Sequence, residues 1–344
     1  MRIVINTPTG NIGRHLADKL LDAGETVTVI SRSEGKVAEL QARGAAVVVG
    51  SMDDPEVLQR AFAGAKAVFW VNPPPSRPDY EDWSAHTAQA AAAAAAAAGV
   101  THAVVLSSVG AQHGRGAGPV GTLLEVELAF QRKIANVAVI RAGFFMENFL
   151  RDVPAILGGT VYSPVSGDRL FPMVATKDIA DRAAAYLLAR DWRGHIITGA
   201  HGPKSLTNFQ AWEQISKLLG RQVAYVPVPI QAAQQAMLGF GMPEFLINAY
   251  SDMYIAATDG RMDGAEPRTP ETTTPTTLKE FVLEVLLRNV GGAAGDLSVG
   301  TPRGCCAAAA AGAPECDARS FAHVGRHSAA ASAAPGADAA VYIV

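Results

Sequence analysis

The chain has 344 residues, 49% hydrophobic and 18% charged. That composition supports one large or two modest packed domains and excludes wholesale disorder. A net charge of −3 gives no electrostatic basis for binding nucleic acid or an anionic membrane. All three cysteines follow position 300, which excludes a disulfide scaffold.

No stretch reads as a membrane span. The longest uncharged apolar run is Ala90–Ala98, and alanine forms helices better than it anchors in lipid. The first apolar residues, Met1 to Asn6, run directly into Thr7-Pro8-Thr9-Gly10, which is turn chemistry and not a secretion signal. A cytoplasmic protein is expected.

In chain order, Ile3–Ile5 reads as a buried strand, followed by helical spacing at Ile12, Leu16 and Leu20 with Gly24 as the stop. Further strand runs are Thr26–Ile30, Ala45–Val49, Ala67–Val71, Ala103–Leu106 and Val137–Ile140, each separated from the next by a segment able to form a helix. Continuous apolar strands alternating with helices predict a parallel sheet covered on both faces, an α/β Rossmann-like doubly wound fold. After Arg141 the rhythm changes. Leu157–Thr160 and Ser163–Asp168 read as loops, Lys177–Ala189 as a helix with Thr176 as its N-cap, and His195–Thr198 as a strand. Thr207–Gln210 and Thr277–Glu280 are capping boxes. The expected organisation is a dinucleotide-binding domain over 1–145, a smaller α+β lobe over 146–290, and a disordered or loosely helical tail over 291–344. About a third of that tail is alanine, and no apolar period survives in it.

The turn after the first strand carries the chemistry. In Thr7-Pro8-Thr9-Gly10-Asn11-Ile12-Gly13, two glycines three apart open a helix. Gly10 lets backbone approach a pyrophosphate, Gly13 lets helix and sheet pack closely, and the helix end supplies amide donors and a positive dipole. Thr7 stands where the usual first glycine would be. The second strand ends at Ser31-Arg32-Ser33 with no acid for a ribose 2′-hydroxyl. Arg32 offers a guanidinium for a 2′-phosphate, so NADP(H) is favoured over NAD(H).

These residues resemble the NmrA-like group of atypical short-chain dehydrogenases/reductases. The resemblance rests on Thr7–Gly13, Val68–Pro75, Leu106–Gly110, Arg141–Asn148, Pro172–Ile179 and Gly220–Pro229, and covers roughly residues 1–288. It implies that Thr9–Ile12 take the pyrophosphate, and that Asn72 and Pro73 pass under the cofactor ribose. It further implies that Ser107 and Ser108 approach the nicotinamide while Phe144, Phe145 and Met146 flank it, with Asn148 nearby. The family holds both reductases and redox-sensing regulators.

Active short-chain reductases pair a tyrosine with a lysine four residues later, so that the tyrosine can pass a proton as hydride moves. None of the seven tyrosines has such a lysine. The position where family members often carry His or Lys corresponds to Leu124. His113 is the remaining proton-donor candidate, and Glu125 and Glu127 read as a solvated helix face. The tail's Cys305, Cys306, Cys316, His323 and His327 have irregular spacing, so no metal is expected. Two readings follow. One is an oxidoreductase passing hydride to a small electrophilic acceptor such as a quinone. The other is a cofactor-binding redox sensor acting through a protein partner.

Overall fold

The computed structural model describes residues 1–74 and 76–298. Its strands are β1 (Arg2–Ile5), β2 (Thr26–Ser31), β3 (Ala46–Val49), β4 (Ala67–Trp70), β5 (His102–Ser108), β6 (Asn136–Ala142), β7 (Phe144–Phe145), β8 (Thr160–Ser163), β9 (Leu170–Val174), β10 (His195–Ala200), β11 (Ser205–Thr207) and β12 (Ala224–Pro227). Its helices are α1 (Asn11–Asp22), α2 (Ala38–Ala42), α3 (Pro55–Phe62), α4 (Tyr80–Ala97), α5 (Leu123–Gln131), α6 (Val153–Leu157), α7 (Thr176–Ala189), α8 (Asn208–Leu219), α9 (Ile230–Gly239), α10 (Glu244–Asp259), α11 (Leu278–Phe281) and α12 (Leu287–Ser298).

Seven strands form one parallel sheet in the order β3-β2-β1-β4-β5-β6-β10. The order reverses between β1 and β4, and ligands of doubly wound sheets bind in the crevice beyond such a point. Alternate strand residues feed two cores. Ile3, Ile5, Val27 and Val29 pack with Leu16 and Leu20 of α1 and Ile179 and Leu187 of α7. On the other face, Val4, Val68 and Val105 pack with Phe62 of α3, Phe130 of α5 and the stripe Ala88, Ala91, Ala92 and Ala95 of α4. The alanine-rich run is therefore a close-packed helix face, its small side chains letting the helix sit near the sheet.

The sheet takes in more of the chain than the expected 1–145 domain. β10 pairs in register with β6, from His195 opposite Val137 to Ala200 opposite Ala142, and α7 covers the same face as α1. Both elements lie inside the 146–290 stretch. A parallel crossover returns the chain to the sheet edge after an excursion, and the sequence break at Arg141 marks the excursion, not the end of the sheet. What remains of the second half builds a third core around Phe149, Trp212 and Phe281. It includes a small sheet in the order β11-β9-β7 and the parallel pair β8–β12.

Both capping boxes form, Thr207 with Gln210 and Thr277 with Glu280. Thr176 is not an N-cap. Ala175 holds that position, and Thr176 donates from its main-chain nitrogen and hydroxyl to Glu147, at 3.0 and 2.6 Å. A carboxylate distant in sequence thus satisfies the start of α7. Helix α12 runs past the expected boundary at Gly291, and Val290 is buried in the third core. Among the described residues no helix is long and apolar enough to cross a membrane.

Candidate functional site

The loop after β1 is shaped by two close backbone approaches. Thr7 adopts a left-handed conformation (φ 54°), which glycine takes without cost and a side chain takes at roughly 1–2 kcal/mol. Its carbonyl accepts from Gly10 N–H at 3.2 Å. A Cβ on Gly13 would stand 2.3 Å from that same carbonyl oxygen, so only glycine lets α1 start this close beneath the turn. Gly10 is the N-cap of α1 in extended conformation, with no side-chain capping bond and no acid in the first turn. The amides at the start of α1 thus keep their donors, and the positive end of the helix dipole carries no carboxylate. Thr9 and Asn11 are exposed there, while Ile12 is buried in the core beneath.

Beside this loop, Asn6 holds β1 to β4. Its side chain accepts from Val71 N–H at 2.8 Å and donates to Val71 O at 2.6 Å, fully buried. The sequence reading did not single it out. Its signal is an amide directly after an apolar strand, where two parallel strands begin to splay. Asn72 is also buried, accepting from Trp70 Nε1 at 3.3 Å and donating to Ser84 Oγ at 2.6 Å. The Asn72 side chain thereby ties the end of β4 to α4, and Pro73 beyond it is half-buried. At the end of β2, Ser31 Oγ accepts from Ser33 N–H at 3.2 Å and donates to Ser33 O at 2.8 Å, a local turn that leaves Arg32 exposed.

The ends of β5 and β6 hold a charged cluster inside the protein. Glu127 is 1% exposed. This overturns its expected place on a solvated face; Glu125 is half-buried. Arg141 donates from Nε to Glu127 Oε1 at 2.9 Å and from Nη2 to Oε2 at 2.7 Å, a two-pronged pair. Its Nη1 donates to Glu266 Oε1 at 2.8 Å. Ser107 Oγ donates to Glu127 Oε1 as well. Burial pulls the Arg141 pKa down, but the bonds and charges of Glu127 and Glu266 more than offset this, so it stays protonated. Ser108, equally buried, donates to Val109 O at 2.9 Å.

The remaining candidates are spread around these strand ends. His113 is exposed, closing a short turn at Ala111–His113, and Leu124 is half-buried in α5. Phe145, Met146 and Asn148 are buried, and Phe144 keeps partial exposure while packing against Phe149 at 5.4 Å between ring centres. The tail cysteines and histidines lie outside the described residues.

A family model described as the NmrA-like family matches residues 1–282. The NAD(P)H azoreductase of Xenophilus azovorans is 30% identical over 278 residues, 79% of this chain and 92% of that protein. The (4-alkanoyl-5-oxo-2,5-dihydrofuran-3-yl)methyl phosphate reductase of Streptomyces griseus is 31% identical over 237 residues, 69% of this chain and 80% of that protein. The crystal structure of Citrobacter sp. triphenylmethane reductase complexed with NADP(H) superposes with a TM-score of 0.69 at 22% identity, covering 83% of this chain and 99% of that one. The seven-stranded parallel sheet and the match over 1–282 together place this chain in the NmrA-like family.

Proposed function

We propose that the protein is an NADPH-dependent oxidoreductase that passes hydride to a small electrophilic acceptor such as a quinone. The observation that carries this reading is the uncapped start of α1, set at the point where the strand order reverses and tightened by Gly13 under Thr7. A pyrophosphate fits it, because the loop offers main-chain donors and places no carboxylate in the first turn. Bound NADPH supplies the hydride. The amides of Thr9–Ile12 would hold its pyrophosphate, and Arg32, which is exposed, would pair with the 2′-phosphate. Pro73 would lie against the ribose, and the Ser107–Ser108 end of β5, where Glu127 holds the Ser107 hydroxyl, would face the nicotinamide. Phe144 offers a flat apolar face to a ring-shaped acceptor.

The missing Tyr-x-x-x-Lys pair limits the acceptor class. Electron-poor rings and azo groups take hydride without a protein acid if water delivers the proton. The similarity to the azoreductase and to the oxo-dihydrofuran phosphate reductase supports such acceptors. The same missing pair favours one alternative, a cofactor-binding regulator without turnover.

The test is NADPH consumption with a panel of quinones, an azo dye and an enone, with and without protein. Acceptor-dependent consumption is expected, together with roughly tenfold weaker NADPH binding and unchanged NADH binding in Arg32→Ala. Tight NADPH binding with no consumption across the panel would favour the regulator.

A further inference from the structure

Helix α9 leads through a short turn at Phe240–Pro243 into α10. Gln234 Nε2 of α9 donates to Ser251 Oγ of α10 at 3.0 Å, and Ile230 shares a cavity with Ile255, so the two helices form an antiparallel hairpin. No residue of α9 is buried. Gln231, Gln235 and Leu238, spaced four and three apart, make one exposed face. Leu238 is 58% exposed, and Phe240 at the tip of the hairpin is 77% exposed. No charged residue lies between Arg221 and Glu244. The outer face of a solvated helix is normally charged, whereas this one offers amides and apolar side chains.

At the other end of the hairpin is an open cavity of about 300 Å³, lined by Pro164, Val228, Pro229, Ile230, Tyr254 and Ile255. The polar residues of its lining bond within the chain. Thr258 Oγ donates to Tyr254 O at 2.9 Å, and Asp259 is paired with Arg261 at 2.8 Å. The cavity therefore suits an apolar occupant, and roughly 150 Å³ already admits a benzene ring. Phe240 does not reach it within one chain, because the ten residues of α9, about 15 Å of helix, separate the two.

A knob at one end of a helix and a hollow at the other fit a second copy laid antiparallel. Phe240 and Ile230 lie five residues either side of Gln235. A two-fold axis at Gln235 thus brings each Phe240 to the cavity of the other copy. The chemistry of the face suits that axis. A charged side chain there would meet its like, whereas an amide is both donor and acceptor and can bond its own copy. The contact would run roughly 25 Å along two helices, each about 10 Å wide. That is on the order of 500 Å² per copy and ~1,000 Å² in all, enough for a reversible dimer.

We propose that α9 is a dimerisation surface, with Phe240 of each copy seated in the Ile230–Ile255 cavity of the other. The surface belongs to the second half of the chain and does not depend on the reading of the phosphate loop.

Sedimentation velocity on the full-length protein between about 1 and 100 μM tests this. The wild type passes from monomer to dimer across that range. Phe240→Ser raises the dissociation constant at least ~tenfold with an unchanged melting temperature, since so exposed a side chain supports little of its own fold. Gln235→Glu and Gln235→Lys, both on the exposed face, each remain monomeric because like charges meet at the axis. Mixed in equal amounts, these two variants form a heterodimer. A wild type that is monomeric throughout, a dimer that Phe240→Ser and Gln235→Glu leave intact, or charged variants that do not pair when mixed would overturn the proposal.

Discussion

Arg141 grips Glu127 with two parallel hydrogen bonds of 2.9 and 2.7 Å, both side chains under a tenth exposed. A buried pair of this kind says little about net stability, but breaking it is costly, because the surviving charge stays buried. Glu127→Ala is expected to lose about 3–5 kcal/mol in urea unfolding. Arg141→Met should cost more, because it leaves both Glu127 and Glu266 buried without their cation, whereas Glu127→Ala leaves Arg141 paired with Glu266. The double variant should be less damaged than the two singles summed, by at least ~1 kcal/mol, since the Glu127 charge that Arg141→Met strands is gone as well. Strict additivity would show that the two groups do not act as a unit.

The two loop glycines should separate binding from folding. Gly10 has φ −78° and ψ 164°, a conformation open to any residue. Gly10→Val should therefore abolish NADPH binding while moving the melting temperature little, because the side chain stands between the amides and the pyrophosphate. Gly13→Ala should do both kinds of damage, since its Cβ would meet Thr7 O at 2.3 Å. Overpacking of that sort costs roughly 1–3 kcal/mol. Full NADPH affinity in Gly10→Val would place the phosphate site elsewhere.

Two buried titratable groups should pull stability in opposite directions as pH changes. Burial pushes the His201 pKa down to about 4, helped by the charges of Arg268 and Arg182. The unfolded histidine therefore binds more protons between about pH 4 and 6.5, and its contribution rises with pH across that window. Burial pushes the Asp152 pKa up to about 6, against the pull of Arg151. Here the folded state binds more protons between about pH 4 and 6, so its contribution falls as pH rises. Each effect is on the order of 3 kcal/mol across its window. Urea midpoints measured from pH 4 to 7 should climb more steeply in Asp152→Asn than in the wild type, and less steeply in His201→Gln. Parallel profiles for all three proteins would refute both assignments.

The end of the described chain belongs to the third core. Truncation after Asn289 removes Val290, which is 7% exposed, and the rest of α12. A loss of about 1–3 kcal/mol is expected, from the burial of one such side chain and the helix that carries it. Calorimetry of the truncated protein checks this; an unchanged melting temperature would mean that α12 adds nothing to the fold.

Much of the fold was legible because its signals are local. Apolar runs of three to five residues gave the six strands β1 to β6, and Thr207 and Thr277 declared their helices by spacing alone. What escaped depends on distant partners. The cap of α7 comes from Glu147, which no window around Thr176 contains. β10 read as a strand, yet its place beside β6 follows from a crossover that a period cannot reveal. Glu127 was misread for a reason the sequence did hold. Residues two apart on a helix do not share a face, so Glu125 and Glu127 could not both be solvated. Arg141, at the end of an otherwise apolar strand, was the missing partner. In the candidate site, the loop glycines were readable from their spacing. The burial of Phe145 and Met146 was not, because Phe145 is drawn in by β7 pairing with β9 and Met146 by the third core.

The central claim is hydride transfer, and label stereochemistry tests it most directly. Two samples of NADPH, each deuterated on one face of the nicotinamide carbon that yields hydride, are oxidised by the protein with a quinone. The NADP⁺ formed is then read by mass spectrometry. The account predicts complete loss of deuterium from one sample and complete retention in the other, with no oxidation by Gly10→Val. Equal partial loss from both samples, or oxidation that persists in Gly10→Val, would contradict it.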